Sequence, residues 1–110
     1  MIKNTMKKIK TKIQQESSIT KQGRTDLLRL LSELETEITK VSKADSEHAQ
    51  SIAGFIERST HEATRQKKNP ELLKLSLAGL TESAKGFEAS HPLLVADINN
   101  FCTILANVGI

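Results

Sequence analysis

The sequence predicts an all-α fold: a helical bundle of four or five helices with coiled-coil-like packing and a C-terminal helical hairpin, formed as one domain over residues 1–110. Three observations lead there. Aliphatic residues recur at alternating spacings of four and three in four segments, the period that lines one side of a helix rather than one face of a strand. Asn69-Pro70 and His91-Pro92 punctuate that pattern, and proline suits the first helical position because its missing N–H would be unpaired there anyway. With three Phe, no Tyr and no Trp among 37% hydrophobic residues, the core must be built mainly from Leu and Ile, as in helical bundles. Packing of such stripes implies antiparallel helices crossing at about 20°.

The first segment, Ile2 to about Glu16, carries Ile2, Met6, Ile9 and Ile13 on one stripe with lysines on the other faces, and reads as a basic amphipathic helix over residues 1–16. Residues 17–24 include Ser17, Ser18, Thr20 and Gly23 and read as a turn-rich linker, leaving 25–110 as the helical body. Thr25 is the expected N-cap of the second helix, with Asp26 near the positive end of its dipole. The stripe of that helix is Leu27, Leu31, Leu34, Ile38 and Val41, and Leu28 and Leu30 widen it enough to meet two neighbours. Glu33, Glu35 and Glu37 are read as its solvated side. Neither Gly nor Pro separates Val41 from Ala49, so a break rests on Ser42 as a cap with Asp45 three residues on. A single helix from Asp26 to Arg65 is the alternative. Ala49, Ile52, Ala53, Phe55, Ile56 and Ala63 continue a helical pattern that thins after Glu57, which leads us to expect fraying or exposure toward Lys67.

Asn69 is the expected N-cap of the next helix, with Pro70 at its first position. Leu73, Leu77, Leu80, Ala84 and Phe87 form its stripe, and Leu72 and Leu75 give it a second apolar edge. Beside them Gly79, Ser83 and Gly86 make a small-residue strip that serves either close helix approach or nothing, at a cost of up to about 1 kcal/mol for a mid-helix glycine. His91 is the expected N-cap of the last helix and Pro92 its first residue. Leu94, Ile98, Phe101, Leu105 and Val108 share one side of it, with Asn99, Asn100, Thr103 and Asn107 opposite. Gly109 is expected to close it in the left-handed conformation, with Ile110 packing back on Leu105.

The run Phe87, Glu88, Ala89, Ser90, His91, Pro92, then Leu94, and the closing Leu105, Ala106, Asn107, Val108, Gly109, Ile110, resembles the C-terminal signature of a family of short bacterial helical proteins grouped as a domain of unknown function. The likeness is strong in the last quarter and looser around Leu27 to Ile38. Residues 1–20 and 44–69 are longer than the family pattern. The resemblance implies an all-helical fold and a bacterial origin, and it brings no activity, substrate or catalytic residue.

The net charge of +3 is unevenly distributed. Residues 1–24 hold seven Lys or Arg against Glu16, a net of +6, whereas residues 25–110 hold nine bases and twelve acids, a net of −3. The basic arm therefore singles out Lys3, Lys7, Lys8, Lys10 and Lys12 as candidates for an anionic surface, either a nucleic-acid backbone or a membrane. The competing reading packs the stripe of this helix on the body and leaves its lysines solvated. No apolar run approaches the roughly 20 residues that span a bilayer. No signal-peptide core follows the N-terminal lysines, and the lone Cys102 cannot form an intrachain disulfide, so the expected address is the cytoplasm.

Few residues invite chemistry. His61-Glu62-Ala63-Thr64-Arg65 falls short of the zinc-protease helix, which needs a second His where Arg65 stands. His48 and His91 have no metal-ligand spacing, and His91 is read as a cap. Cys102 is read as a small buried hydrophobe beside Phe101. The five glycines are isolated, so no phosphate loop is present. Arg65, Lys67 and Lys68 are read as a solvated helix end. The expectation is a non-enzymatic protein without cofactor, metal or small-molecule substrate. Its expected partner is itself, as a homo-oligomer, or another helical protein, met through Leu27, Leu31, Leu34, Ile38, Leu72 and Leu75.

Overall fold

Residues 2–109 are described by a computed structural model and form five α-helices and one 3₁₀ turn. The helices are α1 (Ile2–Gln15), α2 (Lys21–Ala44), α3 (Ser46–Thr64), α4 (Pro70–Ala84) and α5 (Pro92–Val108), with the 3₁₀ turn at Lys85–Phe87. The helices α2, α3, α4 and α5 close a ring in which each packs on the next and α5 returns to α2. The first helix lies against both α2 and α3, so α3 touches every other helix. The whole measures 37 × 24 × 22 Å.

The stripes read from the sequence form the core. Met6, Ile9 and Ile13 of α1, Leu27, Leu30, Leu31, Leu34, Ile38 and Val41 of α2, and Leu94, Ile98, Phe101 and Leu105 of α5 are all at most 2% exposed. The basic helix is therefore part of the bundle and not a free arm.

Three boundaries differ from expectation, each for a local reason. The second helix starts at Lys21 because Thr20, not Thr25, caps it, its Oγ1 accepting from the Gly23 N–H at 3.0 Å. A cap of this kind stabilises a helix by about 1 kcal/mol. Gly23, taken for a breaker, sits in the first turn, where a Cβ would lie only 3.0 Å from that hydroxyl. The linker shrinks to 16–20, and Ile19 within it is buried at 4% exposure. Arg24, counted with the basic arm, bonds the carbonyls of Ile13 (3.3 Å), Glu16 (2.5 Å) and Ile19 (3.3 Å), which fastens the end of α1 to the start of α2.

The single long helix is excluded by Asp45, whose φ of −148° and ψ of 87° leave the helical region. This residue ends α2, its N–H donating to Val41 O at 2.8 Å, and also starts α3, its carboxylate accepting from the His48 N–H at 3.0 Å. The Ser42 hydroxyl instead bonds back to Thr39 O. The expected exposure toward Lys67 is present at Gln66, Lys67 and Lys68, but α3 stays helical and packed as far as Thr64. Ser59, Thr60, Ala63 and Thr64 are at most 4% exposed, because small side chains are what a central helix with four neighbours can fit. Thr60 and Thr64 satisfy their buried hydroxyls on the carbonyls four residues back.

Asn69 caps α4 as expected, accepting from the Leu72 N–H at 3.1 Å, and Pro70 takes the first position. The hairpin between α4 and α5 also holds. His91 occupies the N-cap position, but its side chain makes no capping bond. Its ring meets the edge of Phe87 at 5.7 Å, and His48 meets the same ring from the other element at 5.0 Å. Gly109 has φ −82°, so it is not left-handed. Its small size matters instead, because a Cβ there would overlap the buried Leu73 side chain. The expected contact of Ile110 with Leu105 lies outside the described residues.

Candidate functional site

Of the six leucine and isoleucine candidates for a partner surface, Leu27, Leu31, Leu34 and Ile38 are fully buried inside the chain. The broad face of α2 is matched by α1, α3 and α5, three neighbours rather than two, and this corrects the expectation that it remains available. Leu72 and Leu75 are different: they stay 41% and 65% exposed on α4. Phe55, 37% exposed on α3, lies across Gly79 one turn beyond Leu75, where a Cβ would overlap its ring. The glycine thus serves close approach, whereas Gly86 faces open space. Leu72, Leu75 and Phe55 form an apolar strip along the α3/α4 edge, flanked by the exposed Glu71, Lys74, Glu82 and Lys85.

The basic candidates also divide. Lys10 is drawn onto the body, its Nζ 3.0 Å from Glu35 on α2, while Lys3, Lys7, Lys8 and Lys12 are exposed. Lys8 and Lys12 border a groove of about 440 Å³ between α1 and α3, with Ile9, Gly54 and Thr60 also lining it and Glu57, Arg58 and His61 on the α3 side. A second depression adjoins it through Lys12 and His61 and reaches Glu16, Arg65 and Lys68. The cluster read as a solvated helix end therefore sits beside the basic arm. Lys68 also donates to Ala63 O at 2.5 Å, capping a terminal carbonyl of α3.

Three buried carboxylates escaped sequence reasoning. Glu37 is 6% exposed and paired with Lys40 at 3.1 Å, which corrects its placement on a solvated side. Glu62 is 3% exposed and holds Arg65 at 2.9 Å and Arg58 at 3.7 Å. Asp97 on α5 is 4% exposed, and its Oδ2 has no hydrogen-bond partner. Burial, and then the neighbouring Glu33 carboxylate, raise its pKa from 3.8 to about 6, against a smaller lowering by Arg29. The signal was available: Glu37 falls between Leu34 and Val41, and Asp97 between Leu94 and Phe101, each on its own apolar stripe.

Cys102 is half-buried, with its Sγ 3.9 Å from Thr81 Oγ1, and burial pushes the thiol up, away from the reactive thiolate. His48 Nε2–H donates to Ser83 O at 2.5 Å, which fixes the tautomer and ties α3 to the end of α4. Among the described residues, no three His, Cys, Asp or Glu side chains converge as a metal site requires. No described helix is long and apolar enough to cross a membrane.

These features define a five-helix bundle with one apolar edge and one cationic groove. The chain belongs to the family described as a domain of unknown function (DUF4404), whose family model matches residues 27–110. That match begins at Leu27 within α2 and runs through the whole of α3, α4 and α5, including the middle segment that looked too long for the family. No curated protein and no solved structure matches the chain.

Proposed function

We propose that this protein is a non-enzymatic, self-associating interaction module that pairs with a second copy through α4. The observation that carries the reading is the strip of Leu72, Leu75 and Phe55, three of the four large hydrophobic side chains left exposed among the described residues, the fourth being Leu93 on α5. Contiguous exposed apolar side chains rimmed by polar ones mark association surfaces, whereas single exposed ones do not.

A second copy fits because this edge is electrically neutral. Two acids, Glu71 and Glu82, and two bases, Lys74 and Lys85, give a net of 2 − 2 = 0 around the leucines. Copies of a chain with net charge +3 repel one another least across such a face. A two-fold pairing places the same patch on both sides, so Leu72 and Leu75 supply self-complementary anchors.

The test is native mass by light scattering for the full chain and for Leu75→Glu. Leu75 is the most exposed of the strip, so its replacement leaves the fold intact and places a charge in the interface. A dimer that Leu75→Glu converts to monomer is expected. A monomer at all concentrations, or a dimer indifferent to the substitution, overturns the reading.

A further inference from the structure

Basic residues far apart in sequence meet in the groove between α1 and α3. Lys8 and Lys12 come from α1, Arg58 from α3, and Arg65 and Lys68 from the connection to α4. The buried Glu62 carboxylate holds Arg58 and Arg65 at once, and these two line the first and the second depression respectively. Five cations stand against Glu16, Glu57 and Glu62, a net of 5 − 3 = +2, before the exposed Lys7 on the outer side of α1 is added.

The packing of α1 selects among polyanions. A membrane-surface helix needs a free apolar stripe to enter the lipid boundary, but Met6, Ile9 and Ile13 are at most 2% exposed in the core. Single strands are gripped by bases stacking on aromatic rings, and the exposed Phe55 is turned to the α4 edge, over Gly79. What remains is a cationic groove with no free lipid anchor and with the His61 imidazole as its one lining aromatic ring, too little to stack successive bases. Such a surface suits closely spaced phosphates on a regular backbone, met without base readout. We propose that the α1/α3 groove binds the phosphate backbone of duplex nucleic acid without sequence preference. This site is separate from the α4 edge and does not depend on self-association.

The test is fluorescence anisotropy of a short mixed-sequence DNA duplex titrated with the full chain over a range of salt concentrations. Affinity is expected to fall steeply with salt. The double variant Lys8→Glu/Lys12→Glu is expected to bind about tenfold or more weakly and with a shallower salt dependence, since every phosphate that is no longer neutralised takes about 0.9 off the slope. Lys8→Gln/Lys12→Gln removes the charge without adding acid and is expected to weaken binding less. Lys21→Glu/Lys43→Glu, equal in charge change but outside both the groove and the α4 edge, is expected to stay near the unsubstituted affinity. Absence of binding at low salt overturns the proposal, as does an equal loss in the groove and control variants. Stronger binding to phosphatidylserine vesicles than to the duplex also overturns it, in favour of a lipid surface.

Discussion

Asp97 is the residue at which this chain departs furthest from its own pattern. An unpaired carboxylate buried at 4% exposure is costly, and the Glu33 charge nearby adds to the cost. The unfolded chain releases this proton near 3.8 and the folded chain keeps it to about 6, so the folded state binds more protons between those values. Stability attributable to Asp97 therefore declines as pH rises through that window and is level above it, a loss of up to about 3 kcal/mol. Asp97→Asn cannot ionise, although its amide would still lack a partner. It is expected to exceed the unsubstituted protein in stability by about 1–2 kcal/mol above pH 7, and to lack this part of the slope. Denaturant titrations of both proteins across the acid range check this, and parallel profiles would show that Asp97 is solvated.

Two glycines make an opposite pair of expectations at the same scale. Gly54 lies in the middle of α3 with nothing within 4 Å of the position a Cβ would take. Gly54→Ala is therefore expected to stabilise by about 0.5–1 kcal/mol, through reduced freedom of the unfolded chain. Gly109 has Leu73 and the Ala63 backbone around it, and Gly109→Ala is expected to cost about 1–3 kcal/mol by overpacking. Thermal or denaturant midpoints of the two variants should move in opposite directions.

At the scale of elements, the position of α1 matters most. The family match starts at Leu27, yet α1 contributes Met6, Ile9 and Ile13 to the same core as the matched helices. Arg24 bonds three carbonyls at the α1/α2 corner, and Lys10 reaches Glu35, so the helix is held at its end and along its side. Ile9→Ala, which leaves every lysine in place, is expected to destabilise by about 2–5 kcal/mol, the range for truncating a buried aliphatic side chain. A negligible effect in urea would mean that α1 does not contribute to the folded core. Because α1 carries both core and charge, deleting it would confound binding with folding, and charge reversal at Lys8 and Lys12 is the cleaner way to interrogate the groove.

For the whole molecule, the helical bundle was legible because its information is periodic. Leu27 to Val41 and Leu94 to Leu105 repeat at helical spacing, and the two prolines mark helix starts that packing had no reason to override. Boundaries set by one side chain were less visible. Thr20 and Thr25 are equivalent caps on paper, and the choice of Thr20 is made by its approach to the Gly23 N–H. Asp45 ends one helix and begins another with no glycine or proline to announce it. Which apolar side chains stay exposed was half legible for a related reason. Periodicity identifies apolar faces but not how many neighbours cover them. Leu31 and Leu75 therefore looked alike until the fold surrounded one with three helices and left the other 65% exposed. The groove was hidden because Lys12 and Lys68 are joined only by tertiary structure.

Self-association through the α4 edge is tested most directly by the native mass of the full chain, by light scattering at near-physiological salt, over a range of concentrations and alongside Leu75→Glu. The expected result is a species of twice 12.1 kDa that Leu75→Glu reduces to the single-chain mass. A 12.1 kDa species at every concentration, or a dimer that survives Leu75→Glu, would contradict it.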